Sequence, residues 1–339
     1  MAEMAEGRKT RVAEPEAPVM VRMECVSKKF GSLRALDQVS FSLRKGEVLG
    51  FLGPNGAGKT TAMRILSGYF PPTEGRVWIG GDELFKNSEQ AKKRIGYVPE
   101  ALNFYGDMRV SEFLDFVAQI KSVPSKIRHA HIEEKIERCG LPEVGHRLIG
   151  QLSRGFRQRL GLAQALIGDP DVLLLDEPTG GLDPKQIKEI RHLIRELGRE
   201  RTLILSTHIL PEVSMVCDKV MIFNQGRVVA TGTADELESG LRRERYEIFV
   251  VMGDRHRKDD ALAIFHALPG VDGVTVLEEQ GDRVSFSLFA PRGTELRPVI
   301  SKLFVEQNIP LLEIRASKLS LEQIFLKIVL DEQMAQQEP

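Results

Sequence analysis

Residues 53–60 read Gly-Pro-Asn-Gly-Ala-Gly-Lys-Thr, and this octet constrains the fold more than any other part of the chain. It fits the pattern G-x-x-x-x-G-K-[ST], a loop whose backbone N–H groups surround the phosphates of a nucleotide. The apolar run at 48–52 before it is typical of a buried strand, and residues 61–66 after it are predicted to be helical. Such a helix directs its N-terminal dipole at a bound anion. The octet therefore predicts a strand–loop–helix unit that binds a nucleotide.

Each residue type in the octet suits this chemistry. Glycines at 53, 56 and 58 allow tight turns because they carry no Cβ atom. Lys59 supplies a point charge for the terminal phosphates, and the Thr60 hydroxyl is a ligand for Mg²⁺. The alternative is a glycine-rich turn that binds nothing. The residues predicted to surround the nucleotide here are Gly53, Pro54, Asn55, Gly56, Ala57, Gly58, Lys59, Thr60 and Thr61.

Composition restricts the class of protein. The 339 residues are 42% hydrophobic and 28% charged, as in an ordinary globular chain. Because the net charge is only −1, the chain has no overall positive charge to attract nucleic acid, and nucleic acid is not expected as a partner. Cys25, Cys139 and Cys217 are far apart and lack metal-ligand spacing, which favours a reducing cytosol. The sequence contains neither an apolar run long enough to span a membrane nor the apolar core of a signal peptide.

Patterns along the chain predict four segments. Residues 1–19 and 333–339 are expected to be disordered tails, 20–240 to form one domain and 241–332 a second. Short apolar runs at 172–175 and 203–206, separated by a charged amphipathic helix at 184–199, predict a parallel sheet built from βαβ units. After 240 the order βαββαβ predicts a small ferredoxin-like module, followed by a helix at 319–330.

An acidic pair follows the first of these apolar runs, at Asp176 and Glu177. At the tip of a buried strand the Asp176 carboxylate is positioned to hold Mg²⁺, and Glu177 to act as general base toward a water that attacks the γ-phosphate. The alternative is two solvated carboxylates at a strand end. An acidic residue close to bound phosphates needs a cation to be tolerated, which favours the metal interpretation.

Three further short motifs occur in a fixed order around this pair. Leu152-Ser153-Arg154-Gly155-Phe156-Arg157-Gln158-Arg159 precedes it, Gly180-Gly181-Leu182-Asp183 follows it, and Ser206-Thr207-His208 follows the next apolar run. Together with the octet they resemble the ATP-binding cassette of ABC transporters. In the family the corresponding motifs are called the Walker A loop, the Leu-Ser-Gly-Gly-Gln signature, the Walker B strand, the D-loop and the switch histidine. The resemblance covers about residues 30–230 of this chain.

The resemblance implies an α/β fold. It is a P-loop NTPase cassette with a parallel core sheet, an antiparallel β subdomain and a helical subdomain, here with the small C-terminal ferredoxin-like α+β module. The cofactors implied are ATP and Mg²⁺. Phe30 matches the aromatic position on which the adenine stacks, and His208 matches the histidine that contacts the γ-phosphate or the attacking water. The alternatives are a core phenylalanine and a core histidine.

In the family the signature acts across a head-to-tail dimer. The resemblance therefore implies that Ser153 and Gly155 bind the nucleotide held by a second cassette, either another copy of this chain or a different one, and Asp183 of the D-loop is also predicted to bind ATP. One chain would then contain only halves of two active sites.

The chain departs from the family pattern at two places. The signature has Arg154 for its first glycine and Phe156 for glutamine, and Glu100 stands where the family has the Q-loop glutamine, which adjoins Mg²⁺ and the nucleotide. Both departures resemble the ABC-2-type exporter branch, including the ATPases associated with gliding motility and nitrous-oxide-reductase maturation. The C-terminal module, ending near Leu319-Ser320-Leu321-Glu322-Gln323-Ile324-Phe325-Leu326, is similar to that branch's accessory domain.

The resemblance implies a cytoplasmic ATPase, peripheral on the inner face of the cell membrane, that powers a separate integral-membrane permease. The helix at 110–121 is expected to lie in the region that meets the permease, and Phe104 and Tyr105 are expected to be exposed there. The alternative function is a soluble ABC ATPase acting on ribosomes or DNA. Ribosomal members carry two cassettes and DNA-repair members insert a long coiled coil, whereas this chain has one cassette and only 101–151 at that place, without sustained heptads.

Overall fold

The computed structural model describes residues 17–240, 243–251, 258–291, 293–307 and 309–317. By its internal contacts the chain divides into one unit that runs to Asp218 and includes Phe223–Val228, and another that contains Lys219–Ile222 and the residues from Val229 onward. Residues 1–16 of the tail predicted at 1–19, the tail predicted at 333–339 and the helix predicted at 319–330 lie outside the described residues. Val19, expected in the first tail, already begins a strand.

Up to residue 240 the structure contains ten strands, eight α-helices and 3₁₀ turns at Pro142–Val144 and Ile149–Gln151. The strands are β1 (Val19–Phe30), β2 (Leu33–Arg44), β3 (Val48–Leu52), β4 (Glu74–Ile79), β5 (Asp82–Glu83), β6 (Ile95–Val98), β7 (Val172–Asp176), β8 (Thr202–Thr207), β9 (Lys219–Asn224) and β10 (Arg227–Gly232). The helices are α1 (Lys59–Leu66), α2 (Ser88–Lys93), α3 (Val110–Ile120), α4 (Ser125–Arg138), α5 (Arg154–Leu166), α6 (Pro184–Glu200), α7 (Leu210–Val216) and α8 (Ala234–Gly240).

A six-stranded sheet in the order β10-β9-β3-β8-β7-β6 forms the centre of the cassette. The pairs β3–β8, β7–β8 and β6–β7 are parallel, as predicted from the βαβ rhythm. Every residue of β3, β7 and β8 is buried, which explains why each reads as an apolar run rather than as an alternation.

The register of this sheet brings the site motifs to one edge. Leu52, which precedes the phosphate loop, pairs with Thr207, and Asp176 pairs with Ser206. Because parallel strands end at the same edge, the loop after β3, the acidic pair after β7 and His208 after β8 converge there.

A separate antiparallel sheet has the order β2-β1-β4-β5. Its strand β1 ends at Phe30, which pairs with Leu33 across a tight turn at Gly31 with a φ of 59°. This sheet is the predicted antiparallel subdomain, and it carries the predicted base-stacking residue at its end.

The helical part consists of α3, α4 and α5, whose apolar side chains pack into the main core. Phe113, Leu114, Ile132 and Leu160 are all buried in it. Helix α5 begins at Arg154, within the predicted signature motif, because Ser153 caps it by accepting the backbone N–H of Phe156. Among the described residues no helix is long and apolar enough to cross a membrane.

The described residues between 243 and 317 form a module with the predicted βαββαβ order, and this prediction is confirmed. Its four strands lie in the order β12-β13-β11-β14, all pairs are antiparallel, and Ile248, Phe265, Phe286 and Phe304 are buried in its core. The elements are β11 (Arg243–Val251), α9 (Lys258–Ala267), β12 (Gly273–Gln280), β13 (Arg283–Pro291), α10 (Arg297–Glu306) and β14 (Leu311–Ser317).

Candidate functional site

The predicted phosphate loop runs from the end of β3 to the start of α1. Gly58 is the N-cap of α1 and has a φ of 106°, and Gly56 has a φ of 81°, both in the left-handed region that favours glycine. A Cβ atom on Gly53 would lie 2.5 Å from the carbonyl oxygen of Phe223. The loop can therefore curl against β9 only with glycine at that position.

Lys59 is the first residue of α1, and its ammonium group lies inside the curl of the loop. Its Nζ donates to the carbonyl oxygens of Gly53 at 2.7 Å and Pro54 at 3.2 Å. The same Nζ lies 3.7 Å from Oε1 of Glu177, and the residue is 5% exposed. The cation is thus held where the loop and the acidic pair face each other.

Asp176 ends β7 and accepts two hydrogen bonds at one oxygen. The Thr60 hydroxyl donates to Oδ1 at 3.3 Å, and the Ser206 hydroxyl donates to the same atom. The other oxygen, Oδ2, is buried and has no hydrogen-bond partner among the described residues. An orphaned buried carboxylate oxygen is costly, so this atom is poised to receive a cation or a donor.

Glu177 adopts a φ of 48°, a left-handed conformation that costs a non-glycine residue about 1–3 kcal/mol. Its backbone N–H donates to the Ser206 carbonyl oxygen at 3.1 Å and to the Ser206 Oγ at 3.2 Å, which stabilises the conformation. The side chain then points to His208, whose Nδ1 lies 2.9 Å from Oε2. The predicted base and the predicted switch histidine are therefore in direct contact.

Burial shifts the pKa values of the central groups. It raises the pKa of the Asp176 carboxyl despite hydrogen bonds from Ser206 and Thr60, and it raises that of Glu177 despite the nearby His208 and Lys59. It also lowers the pKa of the Lys59 ammonium, against the pull of the two carboxylates. Because all three groups are poorly solvated when charged, a bound cation would stabilise the two carboxylates and a bound anion would stabilise the ammonium.

Glu212, in α7, is a buried carboxylate that sequence analysis missed. It accepts hydrogen bonds from the hydroxyl of Thr179, just after the acidic pair, and from that of Thr207 at 2.7 Å, next to His208. Arg191 lies 3.4 Å from its Oε1. Glu212 therefore ties the segment after Glu177 to the segment that carries His208. In the sequence Glu212 is a lone glutamate within Leu210-Pro211-Glu212-Val213, and this context does not indicate a buried carboxylate that links two segments.

An open cleft of about 690 Å³ adjoins the phosphate loop. Phe30 forms part of its wall and is 47% exposed, so it is not the buried core phenylalanine that was the alternative. The lining combines predicted residues, which are Phe30, Asn55, Gly56, Gly58, Lys59, Thr60, Thr61, Glu100 and Glu177, with Leu33, Arg34, Ala35, Gln225 and Gly226, which sequence analysis missed. Gly53, Pro54 and Ala57 belong to the loop behind this wall.

Ser153, Gly155 and Asp183 do not line this cleft. Ser153 and Asp183 are exposed N-caps of α5 and α6, and Asp183 accepts the N–H of Gln186 at 2.9 Å. A Cβ atom on Gly155 would lie 2.8 Å from the Gln186 side chain, so the two helix starts are adjacent. These three predicted residues thus form a second group, apart from the phosphate loop of their own chain.

Exposed apolar residues lie near α3. Tyr105 is 58% exposed, Phe116 41% and Ile120 66%, and the rings of Tyr105 and Phe116 are 6.1 Å apart. The prediction that Phe104 is exposed is wrong. It is half-buried because its ring packs edge-on against the buried Phe113, with 5.3 Å between centroids.

Comparison with known proteins gives matches along most of the chain. A family profile described as ABC transporter matches residues 36–180. The chain is 35% identical over 312 residues to the bacitracin transport ATP-binding protein BcrA of Bacillus licheniformis, covering 91% of this chain and 97% of that protein. It is 31% identical over 317 residues to the daunorubicin resistance ATP-binding protein DrrA3 of Streptomyces coeruleorubidus, covering 93% and 98%. Matches of this extent include much of the C-terminal module.

A solved structure resembles the chain over a shorter stretch. The dimeric post-hydrolysis state of the ATP-binding cassette MJ0796, bound to ADP and Pi, aligns with a TM-score of 0.58 and 26% sequence identity. The alignment covers 63% of this chain and 98% of that cassette. The similarity thus extends over a complete cassette.

Proposed function

The chain belongs to the ABC transporter ATP-binding protein family and is an ATPase, and we propose that it powers an exporter through a separate membrane permease. The observation that carries this proposal is the match along nearly the whole length of BcrA and DrrA3, whose names state bacitracin transport and daunorubicin resistance. The same matches disfavour the alternative of a soluble ABC ATPase that acts on ribosomes or DNA. The chain would then work at the cytoplasmic face of the membrane, bound to the permease.

The exposed group Tyr105, Phe116 and Ile120 is the surface that we propose for the permease. Along the chain this group follows the loop that contains Glu100, which lines the nucleotide cleft. Exposed apolar side chains grouped in this way are typical of protein interaction sites. A movement of this loop when the nucleotide binds would then reach the membrane partner.

Purification of the full chain from gently solubilised membranes tests this function. We expect a partner protein with several apolar spans of about 20 residues to co-purify. Phe116→Ser should reduce its recovery, whereas the control Ile127→Ser, which changes an apolar residue on α4 that is 54% exposed, should not. Recovery of ribosomes or DNA without any membrane partner would overturn the proposal.

For hydrolysis we propose that Glu177 is the general base and that His208 orients the attacking water and the γ-phosphate. Burial raises the pKa of Glu177 and makes it a stronger base than a solvated carboxylate. The 2.9 Å contact with His208 Nδ1 fixes the orientation of its Oε2. Lys59, whose Nζ lies 3.7 Å from the other oxygen of Glu177, then neutralises the terminal phosphates.

For the metal we propose Thr60, Asp176 and Glu100. Asp176 Oδ2 is the orphaned atom suited to a cation, and hydroxyl and carboxylate oxygens are the ligands that Mg²⁺ prefers. Within the described residues no three His, Cys, Asp or Glu side chains could hold a metal by themselves, so phosphate and water oxygens would complete the shell. Bound there, Mg²⁺ would neutralise charge that develops on the phosphates.

Changing Glu100 to Gln should lessen the dependence of ATP binding on Mg²⁺. Glu100 is exposed and lines the cleft. Burial is the main cause of the raised pKa of Asp176, two hydrogen bonds oppose it, and the negative charge of Glu100 adds to it. Without a metal this carboxylate repels ATP, so the variant should bind metal-free ATP more tightly than the wild type does. ATP affinity measured across a Mg²⁺ titration checks this, with Glu133→Gln as control. Identical titrations for Glu100→Gln and the wild type would contradict the assignment.

We propose that Ser153, Gly155 and Asp183 complete the nucleotide site of a second cassette, most simply another copy of this chain. They lie apart from the cleft of their own chain, and the N–H groups at the start of α5 suit a phosphate brought by a partner. The dimeric state of the matched cassette MJ0796 supports this arrangement.

We further propose residues 20–240 as the catalytic cassette and 241–332 as an accessory module that steadies the dimer or the permease contact. Every residue of the cleft precedes 240, and the module has its own buried core. A chain that ends at residue 240 should therefore keep its ATP affinity. Loss of affinity in a folded shortened chain would contradict this division.

A further inference from the structure

Phe30, the last residue of β1, belongs to a row of three aromatic rings. Its ring meets that of Phe70 edge-to-face, with 5.6 Å between centroids and an interplanar angle of 87°. Phe70 in turn meets the ring of Tyr69 at 5.7 Å. Such edge-to-face pairs are a favoured geometry for aromatic side chains and add to the stabilisation that burial provides.

Lys28 adds a cation to this row of rings. Its Nζ lies 5.2 Å from the centroid of Phe30 and 4.6 Å from that of Phe70, within the range of a cation–π interaction. The ammonium also donates to the carbonyl oxygen of Pro71 at 2.7 Å, which fixes it in place. The adjacent Lys29 has a different partner, Glu74, at 3.2 Å.

We propose that Phe70 and Lys28 are positioning residues that hold the ring of Phe30 ready to stack on the nucleobase. The inference depends on the proposed role of Phe30 in base stacking. A ring already fixed by an edge contact and a cation loses little freedom when the base arrives, so more of the stacking energy appears as affinity.

The position of Phe70 links this support to the phosphate loop. Phe70 follows α1, the helix that begins at Lys59 and ends at Leu66, and the N–H of Tyr69 donates to the Arg64 carbonyl oxygen at 2.9 Å. One helix thus carries the phosphate-binding loop at its start and the support for the base-binding ring just beyond its end. A rigid helix keeps the distance between the two parts of the site constant.

Binding assays with ATP and with inorganic triphosphate, both in the presence of Mg²⁺, separate this role from a structural one. Phe70→Leu and Lys28→Met should each weaken ATP binding by about threefold to tenfold, as expected for the loss of one edge-to-face or cation–π contact. Affinity for inorganic triphosphate, which has no base, should not change. Lys28→Arg should restore binding because it keeps the cation, and the control Lys29→Met should bind like the wild type.

Phe30→Ala distinguishes failure of the inference from failure of the proposed function. If Phe30→Ala weakens ATP binding while Phe70→Leu and Lys28→Met bind ATP like the wild type, the positioning role is wrong and base stacking stands. If Phe30→Ala binds ATP normally, base stacking fails and the inference fails with it. Equal loss of affinity for ATP and for inorganic triphosphate in the two positioning variants would show a structural contribution and also overturn the inference.

Discussion

Changing Glu177 to Gln should leave ATP binding intact and reduce turnover by about 10²- to 10⁴-fold, the range typical of general acid–base catalysis. Glutamine has nearly the same shape, so the position beside Lys59 and His208 is retained. The amide cannot take a proton from water, however. Single-turnover hydrolysis and ATP affinity measured on the same preparation separate the chemical step from binding.

The same variant should accumulate ATP in a trapped dimer, since hydrolysis is what would separate the two cassettes. Sedimentation of Glu177→Gln with Mg²⁺ and ATP should show a species of twice the mass, which ADP should not produce. Glu89→Gln, a change at an exposed carboxylate on α2 that is paired with Lys93, serves as control and should behave like the wild type. A turnover number comparable to that of the wild type would eliminate Glu177 as the base.

The pH dependence of turnover follows from the direction of the Glu177 pKa shift. The base must be deprotonated to act, and burial raises its pKa above the ordinary value for glutamate. Turnover should therefore decline as the pH falls through this raised pKa, at a higher pH than a solvated carboxylate would give. The residual activity of Glu177→Gln should lack this decline.

Much of the site could be predicted because its signals are local in sequence. The phosphate loop is a contiguous octet, Asp176 ends the apolar run of β7, and His208 directly follows β8, whose centre is apolar. Buried parallel strands end at one edge, so placing the motifs at strand ends was enough to predict that they meet. The ferredoxin-like module was predicted for a similar reason, since its element order alone indicates the fold.

Contacts between distant parts of the chain could not be predicted in this way. Glu212 bonds to Thr179 and Thr207, and nothing in the sequence around it signals a buried carboxylate. The Arg154 guanidinium lies so close to Gly181 that a Cβ atom there would be 2.3 Å from it, a contact between two motifs that the sequence presents separately. Phe104 was expected to be exposed but is half-buried, because its ring packs against Phe113 on α3, a contact that the sequence does not indicate.

The base end of the cleft was also only partly predicted. Phe30 was identified by resemblance, whereas Leu33 and Arg34 begin β2 and Gln225 lies in the turn between β9 and β10, which approaches the loop in space. The backbone explains the approach, because the N–H of Gly226 donates to the Ala57 carbonyl oxygen at 2.9 Å. A turn residue carries no sequence signal for such a contact until the strands on both sides of it are paired.

Changing Lys59 to Ala should weaken ATP binding by about 30-fold or more, since truncating one partner of a buried hydrogen-bonded charge pair costs roughly 2–5 kcal/mol. The ammonium is 5% exposed and is positioned by two carbonyl oxygens of the loop, so its charge is poorly screened by water. Its removal also leaves Glu177 without the cation at 3.7 Å, which increases the repulsion that an incoming phosphate meets. Equilibrium binding of ATP with Mg²⁺ measures the loss.

Two companion variants identify which property of Lys59 matters. Lys59→Met keeps most of the apolar stem and loses the charge, so it should bind ATP as weakly as Lys59→Ala. Lys45→Ala removes a lysine that lies outside the lining of the cleft and should bind like the wild type. Because loss of the Lys59 ammonium leaves the buried carboxylate of Glu177 without a cation, Lys59→Met should unfold at a lower temperature than the wild type. A variant that is folded at the temperature of the assay yet binds ATP with unchanged affinity would show that the phosphates do not lie at this loop.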